Sequence, residues 1–102
     1  MNKIADEPGG SRADAQRRTV TISNRLGLHA RAAARFVQVA SGFNAEVTVT
    51  RLGTSVSGSS ILGLMMLAAA PGQDIEIETK GAEARAALVA LSALVERGFD
   101  ED

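Results

Sequence analysis

The chain has no cysteine, no tryptophan and no tyrosine, one histidine and two prolines. Without cysteine there is no disulfide framework and no thiolate metal site, which suits a reducing cytoplasm. A single histidine cannot build an ordinary zinc site unless carboxylates supply the other ligands. Three phenylalanines are the only aromatics, so platforms for stacking nucleic-acid bases are lacking. Charge of one sign is lacking as well. Eleven basic residues stand against twelve acidic ones, a net of -1, and that leaves no global footprint for nucleic acid. No apolar run reaches the ~20 residues that span a bilayer. The longest, from Ile61 to Pro71, is short and interrupted by Gly63. Residues 1–16 are polar, carry Pro8-Gly9-Gly10 and lack a signal-peptide core. They are expected to form a flexible arm, and the protein is expected to be cytoplasmic.

What remains is enough for one small domain over residues 17–102. Hydrophobic residues make up 45% of the chain, which excludes a disordered polyelectrolyte and supports a single core. Alternation of polar and apolar residues predicts strands at Arg17–Ser23, Ala45–Thr50 and Gln73–Thr79. Arg51-Leu52-Gly53 reads as a hairpin turn leading to a shorter strand, Thr54–Ser57. Helical spacing of Ala33, Phe36, Val37 and Ala40 predicts a helix from about Ala30 to Ser41, closed by a left-handed Gly42 and followed by Phe43. A short helix follows Ser60, an N-cap signal, with Leu64, Leu67 and Ala68 facing the sheet and Pro71-Gly72 ending the segment. In a last helix, from about Ala82 to Arg97, residues Ala84, Ala87, Leu88, Leu91, Leu94 and Val95 keep one apolar face. Gly98 closes it, and Phe99-Asp100-Glu101-Asp102 reads as a solubilising acidic tail. Amphipathic helices and strands that are solvated on one side imply two layers, an α+β fold with an antiparallel four-stranded sheet.

The stretch with chemistry in it is Leu26-Gly27-Leu28-His29-Ala30-Arg31-Ala32-Ala33. His29 falls where strand gives way to helix, beside amides that lack intrahelical partners and at the positive end of the macrodipole. Arg31 adds a permanent charge, and Arg35 lies on the same helix face. Such a place binds anions, and a neutral imidazole there is a plausible nucleophile toward phosphorus. Position alone equally suits a histidine that merely caps the helix.

The stretch closely resembles the phosphorylation site of the HPr family, the histidine phosphocarriers of the bacterial phosphotransferase system. Ala32 stands where that pattern usually has proline, which restores a backbone donor in the first turn. The element order resembles the HPr open-faced sandwich, βαββαβα with three helices on one face, and the ending Gly98–Asp102 resembles the nitrogen-related branch (NPr). The resemblance implies a relay. Enzyme I, preferably the nitrogen type, would phosphorylate His29 at Nδ1 with Arg31 neutralising charge, and an EIIA-type protein would receive the group. It also implies docking through Ile61, Leu62 and Met65 beside the basic face of Arg35. Ser60 aligns with the serine that HPr kinase phosphorylates in some bacteria. Ser57, Gly58 and Ser59 lack the basic residue common just before that serine, so a plain N-cap is the expected role. The chain would be a phosphoryl carrier and not a stand-alone enzyme, with no metal, no cofactor and neither nucleic acid nor membrane among its partners. Classical sugar-transport HPr, and a binding module whose histidine is never phosphorylated, are the alternatives.

Overall fold

The computed structural model describes residues 15–101. Residues 1–14 of the expected N-terminal arm lie outside the described residues, as does Asp102. The elements run β1 (Gln16–Thr21), α1 (Ala30–Ala40), β2 (Glu46–Arg51), β3 (Thr54–Ser57), α2 (Ile61–Met66), β4 (Asp74–Lys80), α3 (Ala84–Glu96) and a 3-10 turn (Gly98–Asp100). The sheet order is β1-β4-β2-β3, antiparallel throughout, with Val20 opposite Ile75 and Val49 opposite both Ile77 and Val56. This is the expected open-faced sandwich of four strands and three helices.

Period-two alternation explains the sheet. Val20, Val47, Val49, Ile75 and Ile77 are buried beneath the helices, while Asp74, Glu76 and Glu78 fall on the opposite register. That outer face is wet and held by polar pairs, including Arg17 to Glu78 at 3.0 Å and Thr21 to Asp74 at 2.6 Å. Phe36 from α1, Leu64 from α2, and Leu91 and Leu94 from α3 close the core from the helical side. Thr79 also points inward, and its hydroxyl donates to the Ala84 carbonyl at 2.7 Å, fastening the start of α3 to β4. The six residues predicted for the apolar face of α3 are all buried, joined by Ser92.

Four expectations change. Gly42 is not left-handed, since α1 ends on Ser41 in right-handed helical geometry and the Gly42 N–H turns back to the Val39 carbonyl at 3.1 Å. Ala68 does not face the sheet. α2 stops at Met66, Ala68 turns to a φ of 53° and to solvent, and Ala69 takes the buried place. The hairpin turn is only two residues, Leu52 and Gly53, both at positive φ as a tight hairpin requires. β1 also starts at Gln16, one residue before the strand expected from alternation.

One glycine fixes how the loop after β1 meets the rest. Gly27 has a φ of 65°, and a Cβ there would run into the Ala69 carbonyl. Gly27→Ala is expected to destabilise the fold by about 1–3 kcal/mol through backbone strain and displacement of residues 69–70. Chemical denaturation reads the effect, and wild-type stability would contradict the packing described.

Candidate functional site

Residues 22–29 carry the chain from the sheet to α1. Ile22 still pairs with the segment before β4, its N–H on the Gln73 carbonyl at 2.8 Å. Asn24–Gly27 forms a turn, with the Gly27 N–H on the Asn24 carbonyl at 3.2 Å. The Leu28 N–H then reaches the Ala69 carbonyl at 2.9 Å, and the Leu28 side chain is buried. The loop is thus seated on the segment that follows α2.

His29 is the N-cap residue of α1, in extended geometry, and its carbonyl accepts the first helical bond from Ala33 at 2.8 Å. Its side chain does not cap the helix. The ring is partly exposed (27%) and its Nε2 lies 2.7 Å from Oε2 of Glu101. A carboxylate accepts only, so Nε2 carries the proton and Nδ1 of the neutral ring is left with a lone pair. Among the described residues no side chain bonds Nδ1. The other Glu101 oxygen accepts from Asn24 Nδ2 at 2.9 Å, and the same amide donates to the Gly27 carbonyl at 2.8 Å. Two oxygen partners fix which end of the Asn24 amide faces them. The bond from Asn24, then those from His29 and the field of Arg31, hold the Glu101 carboxyl below its usual range.

Around this group lies an open basin of about 860 Å³, lined by Arg25, Leu26, His29, Arg31, Arg35 and Glu101 among others. The first-turn amides of Ala30, Arg31 and Ala32 have no intrahelical acceptor. The arrangement supplies a nucleophilic ring nitrogen, fixed positive charge and free N–H donors within one concavity, which suits a phosphoryl group. Among the described residues no cluster of His, Cys, Asp or Glu could hold a metal ion, and no helix is long and apolar enough to cross a membrane.

His29, Arg31 and Arg35 are therefore brought together as the sequence suggests. Arg35 is already engaged, with Asp100 at 3.0 Å and Gln38 at 3.2 Å. Ile61, Leu62 and Met65 belong to α2 and Ser60 is its N-cap, and none of the four lines the basin. The Ser60 hydroxyl caps α2 by accepting from the Gly63 N–H at 2.9 Å. Ile61, Leu62 (67% exposed) and Met65 are exposed as expected, and Met66 (73%), not anticipated, joins them.

The tail overturns its expectation. It is not mere solubilising surface, because Phe99 is buried (3% exposed) and positive φ at Gly98, Phe99 and Asp100 folds the chain back as a strap. Asp100 is clasped by Arg97 at 2.6 Å and by Arg35, which together, Arg97 foremost, lower its carboxyl from the ordinary value. Asn24, Asp100 and Glu101 were not readable as site residues. The one available signal was an aromatic residue set after Gly98 in an otherwise acidic ending.

Residues 16–97 match the family described as PTS HPr component phosphorylation site. The phosphocarrier protein HPr of Neisseria meningitidis is 51% identical over 85 residues, which is 83% of this chain and 96% of that protein. The phosphocarrier protein NPr of Shewanella violacea is 49% identical over 84 residues, 82% of this chain and 92% of that one. In structure, an HPr of Bacillus anthracis superposes with a TM-score of 0.76 at 42% identity, covering 79% of this chain and 96% of its own. Fold, site loop and sequence agree: the chain belongs to the HPr family of phosphocarrier proteins of the phosphotransferase system.

Proposed function

We propose that His29 is the phosphoryl acceptor, that it reacts through Nδ1, and that it works between phosphorylated enzyme I and an EIIA-type protein in the regulatory, nitrogen-related system. The observation that carries this reading is the His29–Glu101 contact of 2.7 Å. It occupies Nε2 and leaves Nδ1 as the available lone pair at the mouth of α1. In-line transfer between nitrogens needs positioning and charge neutralisation above all. Arg31 and the amides of Ala30 and Arg31, which line the basin, meet the equatorial oxygens of the phosphoryl group. Ala32, where a proline is usual, is wholly buried and does not line the basin, so the donors facing the site are those of Ala30 and Arg31.

Docking falls to the apolar side chains of α2. Ile61, Leu62, Met65 and Met66 form an exposed apolar group on a six-residue helix, and thioether side chains adapt to more than one partner surface. Arg35 can reach a partner carboxylate only by exchanging its contact with Asp100. Ser60 is read as a structural cap and not a target of HPr kinase, since its hydroxyl accepts from the Gly63 N–H and no basic residue stands just before it. The ending Gly98–Asp102 supports the nitrogen-related branch. The 51% identity to an HPr favours classical sugar transport as the second reading, and faster transfer from nitrogen-type than from sugar-type enzyme I separates the two.

Incubation with phosphoenolpyruvate and enzyme I is expected to add one acid-labile phosphate to the wild-type protein and none to His29→Ala, read by intact mass. Labelling of the alanine variant would overturn the assignment. Arg31→Ala is expected to slow transfer at saturating donor by at least about tenfold, and an unchanged rate removes Arg31 from the mechanism. Leu62→Asp is expected to raise KM for enzyme I by about tenfold with little change in kcat. A kcat defect at unchanged KM would show that α2 is not the docking face.

A further inference from the structure

We propose that Glu101 is a positioning residue for phosphoryl transfer: its carboxylate fixes the proton of His29 on Nε2 and neutralises the ring as Nδ1 takes the phosphoryl group. The proposal rests on His29 being the acceptor and adds a second residue to that site, from the far end of the chain.

The geometry is that of a carboxylate behind a histidine. His29 Nε2 and Glu101 Oε2 are 2.7 Å apart, and the carboxylate side chain is only 18% exposed. Its second oxygen is held by Asn24, which is itself buried and tied to the Gly27 carbonyl. The carboxylate is therefore fixed from behind by the same loop that delivers His29. Phe99 in the core and Asp100 between Arg35 and Arg97 hold the strap on the other side.

The electron balance shows why a charge is useful there. The Nδ1 lone pair forms the new N–P bond, and the P–N bond to a phosphohistidine donor breaks, its electron pair returning to the donor nitrogen. Nε2 keeps its proton throughout. The neutral imidazole thus becomes an N-phosphorylated imidazolium carrying one positive charge. A carboxylate on Nε2–H stabilises that charge as it develops, in the way a buried Asp supports a catalytic imidazole. The return step runs the same changes backwards. Arg25, Arg31 and Arg35 line the basin, and their charges favour the phosphoryl oxygens but disfavour the ring cation. Glu101 is the side chain that offsets this on the ring itself, since Asp100 is spent on Arg35 and Arg97.

The test compares wild type, Glu101→Ala and Glu101→Gln, with thermal melts to show that each folds. In the ring-labelled, unphosphorylated protein, NMR is expected to find a downfield Nε2–H proton protected from exchange. It should vanish in Glu101→Ala and move upfield in Glu101→Gln, where the acceptor is neutral. In the relay, both variants are expected to lose about tenfold or more in kcat at KM within about twofold of wild type. Full rates in Glu101→Gln with a slow Glu101→Ala would reduce Glu101 to a strap fastener and overturn the charge role. Wild-type rates in both variants, or a proton found on Nδ1, would overturn the proposal altogether. If the wild type takes no label at His29, the carrier reading fails instead, and the ring proton still decides whether Glu101 sets the tautomer.

Discussion

The loop that carries His29 is held in place by a close approach that only glycine permits. Gly27, at positive φ, lies against the backbone of Ala69 and Ala70, and the Leu28 N–H closes on the Ala69 carbonyl. This one seating joins the short stretch between the end of β1 and the start of α1 to the chain leaving α2, some forty residues on. The histidine then stands as N-cap with its side chain free of capping duty. The positive end of α1 and the imidazole of His29 are brought to the same point by these backbone contacts, with the Asn24 amide on the Gly27 carbonyl and the buried Leu28 side chain beside them. Side-chain chemistry is added to a frame that is already rigid.

The second constraint comes from the C-terminus. α3 buries a full apolar face against the sheet, and Phe99 extends that burial past the helix end through a left-handed turn. Anchoring an aromatic side chain there places Asp100 between Arg97 and Arg35 and brings Glu101 in beside His29. Asp100 couples α3 to α1 through Arg97 and Arg35, and Glu101 closes on His29 and Asn24. Exposed ion pairs of this kind contribute little stability one by one. Their consequence here is placement, since they orient an imidazole whose tautomer matters to the chemistry.

Much of this was legible in the sequence. Alternation in Val47-Thr48-Val49 and in Ile75-Glu76-Ile77, and the six-residue apolar face of the last helix, state their burial directly, because periodicity follows from backbone geometry. The place of His29 was legible too, since a lone histidine between strand and helix within its motif is where the structure puts the N-cap of α1. What escaped was set by long-range contacts. Nothing in the spacing of Asn24, His29 and Glu101 relates them, because their meeting depends on how α3 ends. Ala68 was misplaced because the short helix stops early, and Met66 was missed because a six-residue helix exposes more than one face. Glycine after a helix suggests a left-handed cap at Gly42 on composition, although an ordinary i to i−3 turn ends that helix equally well.

Which ring nitrogen of His29 is free to react decides whether Glu101 can act as proposed. The most direct measurement is NMR on the phosphorylated, ring-labelled protein, reading the nitrogen–phosphorus coupling of His29 and the proton on the opposite nitrogen. Phosphorus on Nδ1 with the proton retained on Nε2 is the predicted result. Phosphorus on Nε2 would require the Glu101 contact to be broken and would contradict the arrangement described.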